Sequence, residues 1–409
     1  MTSNTTQRRK VGAWLIGARG SISATVMIGA SALRLNLIPS TGMVTESAAF
    51  SNLDLLPMEN LVFGGCDIRQ ESILDSAERA MGEGIAIDRE SFAAIIADLA
   101  DVDQNINSGT ARNCGAMIET LAGESHPKRK SLPEELQEIR RQLQDFRLRN
   151  DLETVIVVNL ASTEPPLALS SCHHNADEFE KCFHTEGFNA VQASTLYAYA
   201  AILEDCPYIN FTPSNGALIP ALTELAARKK VPVMGSDGKT GETLVKSALA
   251  PMFLSRNLKI LSWEGVNMLG NMDGKVLNDP QNCESKLKSK DKVLHKIMGY
   301  SPHSKVHIHY VPSLSDQKTA WDFIHFQGFL GAKMSLQFTW QGYDSVLAAP
   351  LVLDLLRLAE FAQRNGEGGL MPQLAGFFKS PIDVEEYRHE AQYEMLLRYA
   401  AEHKQGENS

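Results

Sequence analysis

Five short runs rich in β-branched residues, "VGAWLIG" (11–17), "NLVFGGCDI" (60–68), "ETVIVVNLA" (153–161), "YINFTPS" (208–214) and "VPVMGSD" (231–237), each end in small or acidic residues. Between them lie stretches such as "ESFAAIIADLADVD" and "ALIPALTELAARKK", whose apolar residues recur at the three- and four-residue spacing of a packed helix. Consecutive parallel strands need a crossover long enough to hold a helix, so this alternation predicts an α/β fold with a mostly parallel sheet and helices on both faces. Such sheets bind ligands outside the carboxyl ends of their strands. Gly17, Asp67, Ser162, Ser214 and Asp237 all fall there.

The turn after the first run, Gly17, Ala18, Arg19, Gly20, Ser21 and Ile22, has the form of a Rossmann phosphate loop. Glycines there permit a tight turn and let backbone N–H groups approach a pyrophosphate at the start of the next helix. Ser23 stands where the fingerprint has a third glycine, which predicts slightly looser helix–strand packing. Asp67, the candidate ribose ligand, lies about fifty residues on rather than the usual ~20, which calls for a long excursion before the second strand. Taken alone, the stretch fits an ordinary strand-to-helix turn equally well. The same holds for "GSDGKTGETLVKS" (235–247), where Thr240, Gly241 and Thr243 open a helix able to cradle a phosphate and Lys239 and Lys246 add charge.

Across 409 residues, a hydrophobic share of 44% is ample for one large or two medium domains. The net charge of −10 argues against a general nucleic-acid surface. No apolar run reaches the roughly 18 residues that span a bilayer, and six scattered cysteines do not form a disulfide framework, so a cytoplasmic, reducing location is expected. "CHHNADEFEKCFH" (172–184) fits no familiar zinc spacing and reads as a helix with a structural cluster, so no metal site is expected. His307 and His309 share one strand face and read as structural, and the charged "HPKRKSLPEELQEIRRQLQDFRLRND" (126–151) as a solvated face or packing arm. After residue 243 the texture changes to a helix, alternating strands and a lysine cluster, and from Ser345 a long amphipathic helix leads back. The expected division is therefore a discontinuous dinucleotide-binding domain (1–243 and 345–409) with an inserted α+β domain on an antiparallel or mixed sheet (244–344).

The segments "NFTPSNG", "GSDGKTGETLVKS", "NMLGNMDG", "ESKLKSK", "SDQKTAWD", "GYDSVLAAPLVLDLL" and "FFKSP" occur in the order and at about the spacing of the myo-inositol-1-phosphate synthase family, which the chain resembles from about Val11 to about Pro381. The resemblance implies NAD as cofactor, a homotetramer, and conversion of glucose 6-phosphate to inositol phosphate by C5 oxidation, enolisation, intramolecular aldol closure and re-reduction. It also implies four active-site lysines. Lys286 and Lys379 would serve the C5 oxygen, Lys318 the aldehyde oxygen, and Lys290 the phosphate beside Thr240, Gly241, Glu242 and Thr243. Clustered ammonium groups repel, so at least one lysine is expected to have a depressed pKa. Asp237, Asp316 and Asp344 would orient the lysines. Asn271 and Asp273 would border the nicotinamide, and Thr163, Asp344 and Ser345 would join Gly17–Ile22, Asp67, Ser162, Ser214 and Asp237 around the cofactor. Met272 replaces an asparagine of the family motif, and Glu242 a glutamine beside the phosphate. A sugar-phosphate dehydrogenase with net oxidation, or a non-catalytic NAD-binding paralogue, are the alternatives.

Overall fold

The computed structural model describes residues 9–82, 84–122, 130–185, 188, 190–217, 219–271, 274 and 293–404. Its strands are β1 (Val11–Ile16), β2 (Leu61–Asp67), β3 (Ile106–Ser108), β4 (Thr154–Asn159), β5 (Tyr208–Asn210), β6 (Pro232–Gly235), β7 (Lys259–Leu269), β8 (His303–Tyr310), β9 (Gln317–Gln327), β10 (Lys333–Tyr343) and β11 (Gly369–Leu370). Seven form a parallel sheet in the order β11-β6-β5-β4-β1-β2-β3. This is the doubly wound order, with its switch point between β1 and β4. The other four form a mixed sheet, β10-β9-β7-β8, in which only β7 and β8 run parallel.

Helices cover both faces of the large sheet. Ser21–Arg34, Arg89–Val102, Asp344–Arg364 and His389–Glu402 build one core, and Leu132–Arg149, Ala193–Leu203 and Pro220–Lys229 the other. The charged segment expected as a solvated face or packing arm is a crossover helix, Leu132–Arg149, capped by a Ser131–Glu134 box and burying Leu136, Ile139, Leu143 and Phe146. Phe146 packs directly on the sheet, where a Cβ on Gly12 or Gly64 would stand only 2.6 or 2.5 Å from its ring. Those two glycines leave the space the ring fills.

The long excursion before β2 is real, and the helix from Asp344 anchors it. Buried Asp354 accepts hydrogen bonds from Val44 N (2.7 Å), Thr45 N (3.0 Å) and Thr45 Oγ1 (2.5 Å), while Arg357 donates to the Leu56 carbonyl (3.0 Å) and Thr45 Oγ1 (2.6 Å). Desolvation pushes the Asp354 carboxyl up to about 6. A third, smaller core of Phe253, Ile260, Trp263, Leu294 and Ile324 lies under the mixed sheet, and His307 and His309 stack on that sheet with centroids 6.4 Å apart.

The expectation of cysteines without disulfides needs correction. Cys172 and Cys182 are bonded across ten residues, tying a 3-10 turn to the helix Ala176–Phe183. His173 accepts from Ser170 N (2.9 Å) and donates to the Ala190 carbonyl (2.7 Å), so none of these three side chains is available as a metal ligand. Among the described residues, no helix is long and apolar enough to cross a membrane.

Candidate active site

The carboxyl ends of β1, β2, β4, β5 and β6 open into one cleft that also reaches Asn271, Asp316, Asp344, Ser345 and Lys379. At its first turn Gly17 has φ +79°, and a Cβ there would stand 3.0 Å from the Ala161 Cα, so the turn demands glycine. Gly20 caps the Ser21 helix with no side-chain hydrogen bond, leaving the first N–H groups of that helix for an anion. Ala18 is fully buried. Ser23 does not loosen the packing: it is fully buried, and its hydroxyl donates to the Gly17 carbonyl at 2.8 Å. Asp67 is oriented by the main chain, accepting from Arg19 N at 2.7 Å and Arg69 N at 2.9 Å. Ser21, Ile22, Ser162 and Thr163 line the same cleft, whereas the expected cofactor residue Ser214 is buried and not part of its lining: its hydroxyl accepts from the backbone N–H of Glu164 at 3.0 Å. An uncapped helix start behind a glycine turn, with a carboxylate at the end of the adjacent strand, fits a dinucleotide.

At the far end two lysines are held by carboxylates. Lys379 Nζ lies 2.8 Å from Asp237 Oδ1, and the Lys379 N–H donates to the Asp237 carbonyl at 2.6 Å. Both side chains are buried. Lys318, on β9, places Nζ 3.2 Å from Asp344 Oδ2, and Thr240 Oγ1 donates to the other oxygen of Asp344 at 3.3 Å. A Cβ on Gly241 would stand 3.7 Å from Lys318 Nζ, so the ammonium overlies the start of the Glu242 helix. Gly241 caps that helix with no side-chain bond. Asp316 accepts from Asn271 Nδ2 (3.1 Å), from Ser345 N (3.3 Å) and from the Ser345 hydroxyl, and burial raises its pKa. The structure thus gathers Asp237, Thr240, Gly241, Asn271, Asp316, Lys318, Asp344, Ser345 and Lys379. Lys286, Lys290 and Asp273 lie outside the described residues.

Three side chains near the phosphate cradle depart from expectation. Lys246 does not add charge there: it is 1% exposed, pairs with Glu242 Oε1 at 2.7 Å and sits 5.6 Å from the Trp263 ring centroid. Glu242 itself turns toward the mixed sheet and accepts from Asn267 Nδ2 at 2.5 Å, so only its backbone N–H is left for an anion. Nor does Lys239 face the cradle. It donates to Gln392 on the C-terminal helix, and burial lowers its pKa to about 7. Sequence reasoning also missed Glu164, which lines the cleft, accepts from Ser194 N at 2.8 Å and is raised by burial to about 7. Its position directly after Thr163 was the available signal.

A doubly wound dinucleotide cleft whose far end collects acid-paired lysines beside an uncapped helix start defines a nicotinamide-dependent enzyme acting on an anionic substrate. The chain belongs to the myo-inositol-1-phosphate synthase family, whose model matches residues 11–398. It is 31% identical over 411 residues to inositol-3-phosphate synthase 1 of Bacteroides thetaiotaomicron, covering 95% of this chain and 93% of that one. It is also 31% identical to inositol-3-phosphate synthase 1 of Mus musculus, covering 91% of this chain and 74% of that one. The crystal structure of inositol-3-phosphate synthase from Caenorhabditis elegans superposes with a TM-score of 0.86 at 26% identity, covering 96% of this chain and 86% of that one. The family is one of NAD-dependent isomerases, and NAD is its cofactor.

Proposed function

We propose that the cleft converts glucose 6-phosphate to myo-inositol phosphate, with the Lys379–Asp237 and Lys318–Asp344 pairs dividing the proton and charge handling. The observation that carries this reading is that the Lys379–Asp237 pair lines the same cleft as Thr240 and Asp344, and Asp344 holds Lys318 over the start of the Glu242 helix. NAD, when bound against the Gly17–Ile22 turn, supplies the reversible redox step at C5. Lys379 with Asp237 takes up the proton of the C5 hydroxyl and steadies the oxygen as its charge changes. Lys318, oriented by Asp344, donates to the aldehyde oxygen as ring closure makes it negative. Thr240, Gly241, Thr243 and the Glu242 N–H receive the phosphate, where helix-terminal donors and the overlying Lys318 favour an anion. In this reading Lys286 completes the C5 relay and Lys290 the phosphate site.

A cytoplasmic homotetramer belongs to the same proposal. The mixed sheet presents Trp321 and Met334 partly exposed and Phe329 and Leu330 nearly bare, an apolar surface suited to burial against another copy. Sedimentation of the purified chain tests this, and a monomer at micromolar concentration would exclude it. The reaction is tested by phosphorus NMR of glucose 6-phosphate with the protein and catalytic NAD. An inositol phosphate should form with no free NADH accumulating, because the redox step reverses on the same carbon. NADH rising in step with sugar consumed would replace this reading with a dehydrogenase.

A further inference from the structure

The first residue of the cradle's helix carries a carboxylate, and that carboxylate is folded away from the cradle into a recess of the mixed sheet. One face of β7 and β9 forms the recess, with Trp263, Gly265 and Asn267 buried at alternate positions of β7 and Gly265 directly opposite Asp322 of β9. A Cβ on Gly265 would stand 2.8 Å from Glu242 Oε1, so glycine is what leaves room for the carboxylate. Two groups hold it there. Asn267 Nδ2 donates to Oε2 at 2.5 Å, and Lys246, one turn along the same helix, places Nζ 2.7 Å from Oε1. A second carboxylate borders the recess: Asp322 Oδ1 lies 3.4 Å from the same Cβ position and accepts from Trp263 Nε1 at 2.7 Å. Glu242, Lys246, Asn267 and Asp322 are each 2% exposed or less, so water screens none of these charges.

This arrangement opposes two electrostatic preferences of Glu242. A carboxylate in the first turn of a helix is drawn to the free N–H groups and the positive dipole end there, which are the donors that the phosphate uses. It is also repelled by the like charge of Asp322 across a poorly screened recess. Lys246 reverses both. Its ammonium supplies the opposite charge inside the recess, and Asn267 adds the hydrogen bond that a buried carboxylate needs. Without that ammonium, two carboxylates would face each other there, and the Glu242 carboxylate, directly after Gly241, would turn back onto its own helix start.

We infer that Lys246 is a positioning residue for the substrate phosphate: by pairing with Glu242 it keeps the chain's own carboxylate out of the cradle, without itself touching the substrate. The inference rests on the phosphate lying at Thr240, Gly241 and Thr243. Calorimetric titration of the full chain with glucose 6-phosphate and with inorganic phosphate, NADH being bound to prevent turnover, tests both. Thr243→Val exchanges a cradle hydroxyl for a methyl and should weaken both ligands; unchanged affinity there places the phosphate elsewhere and defeats the cradle together with the inference. Lys246→Met should weaken both ligands by about tenfold or more, because an internal anion then competes for the helix start. Glu242→Gln should instead tighten both by about threefold, since the competitor is gone and the stranded ammonium attracts the anion. The double variant Glu242→Gln/Lys246→Met should return to wild-type affinity. In turnover, the loss in Lys246→Met should fall on KM for glucose 6-phosphate with kcat held within about threefold, because the phosphate is bound alike in ground and transition states. A pair that serves only the fold predicts weakening from either single variant, so the opposite signs separate the two roles, and Glu242→Gln gives a readout that does not depend on how Lys246→Met folds. Wild-type affinity in folded Lys246→Met, unchanged or weakened binding in Glu242→Gln, or a double variant that stays weak overturns the assignment.

Discussion

Replacing Lys379 by methionine keeps most of the aliphatic stem and removes the charge facing Asp237. The pair is 2.8 Å apart, with side chains 10% and 6% exposed, so water screens it poorly. At an effective dielectric of ~20 the attraction at that distance is about 6 kcal/mol, much of which offsets the desolvation of the two groups. The single variant keeps the desolvation and loses the attraction. Asp237 Oδ2 already has no hydrogen-bond partner among the described residues, so the carboxylate has little else to lean on. Breaking such a pair from one side costs about 3–5 kcal/mol. Asp237→Asn should cost a similar amount by stranding the ammonium. The double variant should return to within about 1 kcal/mol of wild type, leaving a coupling energy of a few kcal/mol in the cycle. Urea denaturation of the four proteins measures it. Turnover should follow a different course: each single variant and the double should lose about 10²-fold or more, because restoring neutrality does not restore the proton relay. Additive stabilities would mean that the pair is effectively solvated, and a double variant that regains turnover would mean that it only holds the fold.

Lys318→Ala should still bind NAD and sugar phosphate and still oxidise C5, so single-turnover absorbance should show enzyme-bound NADH building up while cyclised product falls about 10²-fold or more; a trace with no build-up would move Lys318 to the first step. Gly64→Val puts a Cβ at 2.5 Å from the Phe146 ring, and this overpacking should cost about 1–3 kcal/mol by urea denaturation, with partial recovery in Gly64→Val/Phe146→Leu. Burial raises Asp354 from 3.8 to about 6, so the folded state holds its proton more tightly and stability falls as pH rises through that window. Asp354→Asn should remove that part of the slope, and parallel stability profiles for variant and wild type between about pH 4 and about pH 6 would contradict the assignment.

The runs that became β1, β2, β4, β5 and β6 were legible because each is apolar over its own length and ends in residues that break a strand. Their parallel pairing followed from the crossovers and the long excursion before Asp67 from the spacing alone, whereas their order across the sheet came only from the structure. Of the residues read at the strand ends, Gly17, Asp67, Ser162 and Asp237 line one crevice, since the carboxyl ends of parallel strands lie on one side of the sheet, while Ser214 is buried and is not part of the lining. Strands β3 and β11, three and two residues long, had no period to read; they exist because β2 and β6 offer them an edge. β9 was covered only by the motif around Lys318, which gave no hint that the residue stands on a strand central to the mixed sheet. What no local pattern contains is the partner of a charge. Lys379 meets Asp237 across 142 residues, and Lys239, next to the phosphate cradle in sequence, is carried away from it to Gln392 across 153. Glu242 likewise opens the cradle's helix yet aims its carboxylate at Lys246 and Asn267. Hydrophobic periodicity determines which face of an element is buried, because burial is a property of the element. Which cation a buried carboxylate meets depends on how distant elements pack, and only the tertiary structure decides that.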